Sequence, residues 1–318
     1  MAGSTGTADV AEAARYRPLL FSIAYGMTGS VGDAEDLVQD TFLNLTRAGQ
    51  AGTTVTNLKA YLTTSVTRLG INHLDSARVR RESYVGEWLP EPVVAFAERP
   101  GDAPAEHAEL ADSLSMAFLV MLEALSPVER AVLLLREAFG YGYPEVAELT
   151  GKSEANCRQI LARARKHLAL GTDTPLPAAR RAEGDELARR FFAVAAGGDL
   201  SELLGMLAPD VVFHGDGGGK AQSVGKSVAG LERVAHLLTF GFTRNRELGV
   251  TLRPALVNGR PGAVSYDPRG RVAGVLVLEI ADGAIRALHS VSNPDKLGHL
   301  GEVSDIGLRR VRDRDRDR

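Results

Sequence analysis

The chain carries a single cysteine, Cys157, and a single tryptophan, Trp88. One cysteine excludes an internal disulfide and any multi-cysteine metal site, and no cofactor is expected. No stretch approaches the roughly 18 consecutive apolar residues of a membrane span. Met1 to Val10 lacks a basic segment followed by an apolar one, which excludes a signal peptide. A cytoplasmic protein without membrane attachment is therefore expected. A strong charge of one sign is also missing, since the formal net charge is −3 over 318 residues. The hydrophobic fraction of 44% and charged fraction of 24% are those of an ordinary globular protein, long enough for two or three units.

The distribution of charge says more than its sum. Between Asn57 and Glu82, five basic residues face two acids, leaving +3; between Lys152 and Leu170, five face Glu154 alone, leaving +4. Screening confines such fields to about 8 Å at physiological salt, so local basic segments decide phosphate contact. Pro90, Pro92, Pro100 and Pro104 hold the segment 84–107 out of helix and sheet. Pro175 and Pro177 mark a second linker at 172–184. Val311 to Arg318 is an Arg-Asp repeat of low complexity, expected to be disordered.

The first two parts read as helical. From Asp33, an expected N-cap, small or apolar residues at Ala34, Leu37, Val38, Thr41, Phe42 and Leu45 form the stripe of an amphipathic helix. In the third part, helices at Asp185–Ala196 and Leu200–Leu207 precede strands at Val211–His214, Val250–Val257, Ala263–Tyr266, Val272–Ile280 and Ala284–Val291. Asp282-Gly283 is a hairpin signal. Helices followed by an antiparallel sheet mean α+β.

The strongest local pattern lies between Pro127 and Leu168. Pro127–Ala138 reads as one helix, Tyr143–Leu149 as a second, Gly151 as the turn and Ser153–Ala169 as a third, capped by Ser153. That is helix-turn-helix spacing, whose last helix enters the major groove. Cys157, Ile160, Leu161, Ala164 and Leu168 make the buried stripe, so Cys157 reads as a small core residue. Arg158, Gln159, Ala162 and Arg163 share the solvent side, and Arg and Gln suit guanine and adenine edges. Ser153 and Asn156, at the start of the helix, complete the expected DNA face.

Asp33-Ala-Glu-Asp-Leu-Val-Gln-Asp-Thr-Phe42 resembles the region 2 helix by which sigma factors hold the clamp helices of RNA polymerase. The resemblance places polymerase contacts at Asp36, Gln39 and Asp40, which share one helix face. Ala60 to Arg68 and Ser76 to Glu82 resemble the parts of region 2 that open and read the −10 element. Arg68 and Asn72 would meet single-stranded DNA, and Arg78, Arg80 and Arg81 its backbone. Asp75 stands where the family commonly carries an Arg and is assigned no contact; Gly70 weakens this helix by about 1 kcal/mol. Leu125 to Arg136 with the helix-turn-helix resembles region 4, the reader of the −35 element and partner of the polymerase flap. Regions 2 and 4 joined without a helical region 3 are the layout of extracytoplasmic-function (ECF) sigma factors.

Trp88-Leu-Pro-Glu-Pro92, Asp216-Gly-Gly-Gly-Lys220 and Asn293-Pro-Asp-Lys-Leu297 together resemble the SigJ-like group of that family, whose members end in a SnoaL-like domain of the nuclear-transport-factor-2 superfamily. The implied architecture is multidomain: region 2 at 9–83, linker 84–107, region 4 at 108–171, linker 172–184, an α+β cone at 185–300 and a tail at 301–318. The resemblance implies core polymerase and promoter DNA as partners, and a non-enzymatic role. Regulatory contacts between domains are expected from Trp88, from the Asp216, Gly217, Gly218, Gly219 and Lys220 loop, and from Asn293, Asp295 and Lys296. Asp295 is a natural partner for Lys220. SnoaL relatives include cyclases and isomerases, so the cone has a possible small-molecule ligand. Its acid–base candidates are His214, Asp216, His236 and His289. The alternatives are an isomerase or cyclase and a ligand-responsive DNA-binding regulator.

Overall fold

The computed structural model describes residues 12–82, 84–96, 114–168 and 184–308. The segment 84–96 does not stand apart as a linker. Residues 12–82 and 114–168 form one unit, and 84–96 joins 184–308 in a second. The rest of the two expected linkers, 97–107 and 172–183, and Val311–Arg318 lie outside the described residues.

In the first unit, α1 (Arg17–Thr28) has Pro18 in its first turn and ends at Gly29, whose φ of 67° is left-handed. Every residue from Leu20 to Thr28 is buried, because α1 is covered on all sides. Helices α2 (Val31–Gln50) and α3 (Leu58–Glu82) pack on it from region 2. From region 4, after α4 (Met116–Leu122), helix α5 (Pro127–Leu133) packs on it too, and Leu134, after α5, approaches Gly26. The N-cap of α2 is Ser30 rather than Asp33: the Ser30 hydroxyl accepts the Asp33 N–H at 3.2 Å. Asp33 still faces the positive end of the helix dipole. Gly70 costs helix propensity but serves packing, since a Cβ there would lie 3.3 Å from Met27.

Ser115 and Ser126 cap α4 and α5, the latter with Glu129 in a reciprocal capping box. The expected single helix from Pro127 to Ala138 widens after Leu133 into a π-turn, Leu134–Ala138. Helices α6 (Tyr143–Thr150) and α7 (Glu154–His167) complete region 4. Arg130, 2% exposed, ties the two regions: its Nη1 donates to the Met27 carbonyl at 2.6 Å and to Glu123 at 2.8 Å.

The second unit is a seven-stranded sheet in the order β1-β4-β5-β6-β7-β2-β3. Its strands are β1 (Val94–Ala95), β2 (Leu207–Asp216), β3 (Val228–Ala229), β4 (Thr251–Val257), β5 (Arg260–Tyr266), β6 (Val272–Ala281) and β7 (Ala284–Val291). The sheet is mixed, not antiparallel as expected, because β2 runs parallel to β7. A chain that leaves β2 through a helix and three antiparallel strands returns beside it in the same direction. The β6–β7 turn has positive φ at Asp282 and Gly283, and the β4–β5 turn has the same at Asn258 and Gly259, which matches strand twist.

Helices α8 (Asp185–Gly197) and α9 (Leu231–Glu247) pack on one sheet face. In place of the expected helix at 200–207 the chain makes a 3-10 helix, Leu200–Gly205, and β2 already begins at Leu207. Phe191, Phe192, Val234, Leu238 and Phe242 bury against Ala263, Leu276, Leu278 and Leu288. Full burial of each large side chain is worth about 1.5–3 kcal/mol. The unit continues past residue 300: Val303 bridges Val272, Leu308 bridges Ala221 and Ser304 is buried. The expected tail therefore begins later.

Candidate functional site

Helix α2 buries Ala34, Leu37, Val38, Thr41 and Leu45, which turns the intervening residues outward. Asp36, Gln39 and Asp40 are exposed together on that outer side. Leu43, one turn beyond them, is also 45% exposed. Its apolar side chain off the buried stripe was a sequence signal for the same surface.

Arg68 and Asn72 are exposed one turn apart on α3. They border a groove of about 680 Å³ whose walls include Asn44, Tyr61, Thr64 and Ser65. Hydroxyls, amides and one guanidinium suit a base edge and a phosphate. Glu148 of α6 also lines this groove, so a carboxylate of region 4 stands at its rim. Arg78, Arg80 and Arg81 lie on the last turns of α3, and their side chains are outside the described residues.

Gly151, φ 67°, makes the turn before α7, and the Ser153 hydroxyl accepts the Asn156 N–H. Cys157, Ile160, Leu161 and Ala164 are buried, while Leu168 is only half-buried. Asn156, Arg158, Gln159 and Arg163 are exposed. Arg158 pairs with Glu154 at 3.0 Å and lies 4.7 Å from the Tyr143 ring; Arg163 is 3.8 Å from Glu129. The exposed Arg158–Glu154 pair is worth about 0–1 kcal/mol, so DNA can displace it.

In the second unit the 84–96 segment lies across the sheet face opposite the helices. Asp216, fully buried, accepts the Leu89 N–H at 2.9 Å and the Gly218 N–H at 2.9 Å, and the Tyr84 hydroxyl also donates to it. Lys296, 6% exposed, pairs with Asp216 at 2.7 Å and donates to the Leu89 carbonyl. Its ammonium lies 4.0 Å from the centre of the Trp88 ring, which is half-buried rather than exposed. Asn293 donates to the Tyr84 oxygen at 2.8 Å. Burial and the Asp216 hydrogen bond push the Tyr84 phenol well above its usual range. Gly217 to Gly219 form a turn over Asn293, where a Cβ on Gly218 would fall 2.3 Å from the Asn293 amide. Lys220 and Asp295 meet at 2.6 Å on the exposed edge. At the far end, the Pro92 carbonyl accepts from His299 Nε2 at 2.8 Å, and β1 pairs with β4.

His214 and His289, partners in the β2–β7 register, stack at 4.9 Å on this same covered face. His214 Nδ1 lies 2.6 Å from Glu87 of the 84–96 segment, and Ser227 donates to the same carboxylate. Burial raises the Glu87 pKa, but the hydrogen bond and charge of His214, with the hydrogen bonds of Ser227 and the Gly215 backbone, together outweigh it and the net shift is downward. Burial, reinforced by His214, pushes His289 down to about 3. His236 is exposed on α9. A separate cavity of about 370 Å³ opens between α9 and the other sheet face, and none of these four acid–base candidates lines it. Among the described residues no cluster of His, Cys, Asp or Glu fits a metal ion, and no helix is long and apolar enough to cross a membrane.

The family models fall on these elements. Sigma-70 region 2 matches residues 13–80, sigma-70 region 4 matches 115–168, and a SnoaL-like domain matches 188–288. The chain is 37% identical to ECF RNA polymerase sigma factor SigJ of Mycobacterium tuberculosis strain H37Rv over 302 residues, covering 91% of this chain and 93% of that one. The chain belongs to the ECF sigma factors. It is also 32% identical to probable ECF RNA polymerase sigma factor SigI of the same species, covering 90% and 93%. The crystal structure of the Mycobacterium tuberculosis factor SigJ superposes with a TM-score of 0.72 at 34% identity, covering 91% of this chain and 98% of that one. This sigma factor is thus a transcription initiation factor, not an enzyme, and its partners are RNA polymerase and promoter DNA. Much of the buried cluster around Asp216 lies outside the three family models: Tyr84, Leu89, His289, Asn293 and Lys296 all do.

Proposed function

We propose that this sigma factor holds the polymerase clamp helices through Asp36, Gln39 and Asp40, and the flap through region 4. The −10 strand enters the groove bordered by Arg68 and Asn72, with Arg78, Arg80 and Arg81 along the backbone. The −35 element is read by α7 through Ser153, Asn156, Arg158, Gln159 and Arg163. The work is done in the cytoplasm, where polymerase and DNA meet.

The C-terminal cone sets the activity by gripping the connector between regions 2 and 4. One observation carries this reading: the backbone N–H and C=O of Leu89 are both taken by buried side chains, Asp216 and Lys296. A connector so fixed limits how far the regions on either side can part, and promoter binding requires them to part. The docking of Arg130 on Met27 and the Glu148 carboxylate at the groove rim both favour the shut state. A small molecule in the cone would act through the same grip.

Polymerase binding is tested by charge reversal, Asp36→Lys with Asp40→Lys. Both residues are exposed, so the fold should persist by circular dichroism while co-purification with core polymerase is lost. Undiminished co-purification would remove α2 from the polymerase interface.

A further inference from the structure

The concave face of the cone changes character along its length. At one end, Ala263, Leu276, Leu278 and Leu288 fill the space against the helices. At the other end the same face carries Ser265 opposite Gly274, and Ser290 opposite Leu276. Small residues there leave the cavity of about 370 Å³ unfilled, at the lower end of the ~300–1,000 Å³ of small-molecule sites.

The lining is mostly apolar, with Phe213, Leu238, Phe242 and Leu252 as its main walls. Among the described residues its one ionisable side chain is Arg244, half-buried on the last turn of α9. Neither an acidic partner nor a hydrogen bond holds its guanidinium among the described residues. Its neighbour Arg246, by contrast, is held by the carbonyls of Val194, Ala195 and Gly198. Among the described residues no hydrogen bond holds the hydroxyls of Ser265 and Ser290, whose backbones serve the sheet. A half-desolvated guanidinium beside an apolar cavity is complementary to a bidentate anion with a hydrocarbon body.

We infer that the cavity takes a small organic acid, its apolar body between α9 and the sheet and its carboxylate on Arg244. At about 30 Å³ per water-sized unit, roughly a dozen non-hydrogen atoms fit. The inference rests on the reading that the cone binds a small molecule, and adds the class of molecule.

The test is calorimetric titration of the full-length chain with octanoate and with 1-octanol, which share a body and differ in charge. Octanoate should bind at least tenfold more tightly than octanol. Arg244→Met, which removes the charge but keeps an unbranched apolar stem in the lining, should erase that difference by weakening octanoate at least tenfold. Ser265→Phe, which fills the cavity, should abolish both. Equal binding of the two probes, or an octanoate preference that survives Arg244→Met, would overturn the anion assignment while leaving the cavity as a site for neutral molecules. No binding of either probe would overturn the small-molecule reading itself, without bearing on polymerase or promoter binding.

Discussion

At the scale of single residues, His289 stands well away from its ordinary chemistry. It is 2% exposed, its Nδ1 has no hydrogen-bond partner among the described residues, and its pKa falls to about 3 from 6.5. The native state keeps it neutral where the unfolded chain would take up a proton. Its contribution to stability is therefore fully present above about pH 6.5 and is lost as pH falls toward 3, with a slope of up to about 1.4 kcal/mol per pH unit. Glu87, whose carboxyl titrates below its ordinary range, acts with the same sign at lower pH. Thermal unfolding of the full chain should move to lower temperature between pH 7 and pH 5, and His289→Leu should flatten that dependence. An acid slope that His289→Leu leaves unchanged would place the sensitivity elsewhere. Such residues were half legible. The three short motifs marked Trp88, Asp216 and Lys296 as acting together and included Leu89, but its role is carried by a backbone N–H and C=O, which have no sequence signature, and Tyr84 lies outside all three motifs.

At the scale of elements, α7 carries the recognition argument. Its cap, turn glycine and buried stripe all follow from local chemistry, which is why the sequence and the structure agree on it. If Arg158 forms a bidentate contact with a guanine, Arg158→Ala should cost about 1–3 kcal/mol and relax preference at one base pair of the −35 element. If Arg163 touches only phosphate, Arg163→Ala should weaken all promoters alike and reduce the salt slope by about one. Footprinting across a −35 library at several salt concentrations separates these outcomes, and native behaviour in both variants would exclude α7 as the reader. Other elements were less legible. Helix α9 has Leu231, Val234, Ala235, Leu238 and Phe242 at helical spacing, yet the stretch was not read as a helix. The two-residue β1 was hidden by prolines that suit a sheet edge, where a missing N–H costs nothing. The parallel β2–β7 pair is invisible to local patterns, since both strands read alike in either direction.

At the scale of the molecule, the segment read as a linker is the surprise. Prolines correctly forbade helix there, but an extended segment can still be fixed by tertiary contacts, and this one is held from Tyr84 to Phe96. Breaking that hold should alter activity without altering which promoter is chosen, because the DNA-reading residues lie in regions 2 and 4. The most direct measurement is run-off transcription with core polymerase from one native promoter, comparing the full-length chain, the Met1–Gly171 fragment and Lys296→Met. Transcript yield should change roughly fivefold or more in both altered proteins, the lower end of ordinary coupling between sites, with −10 and −35 preference unchanged. Equal yields from all three would show that the cone's grip on Leu89 has no part in controlling initiation.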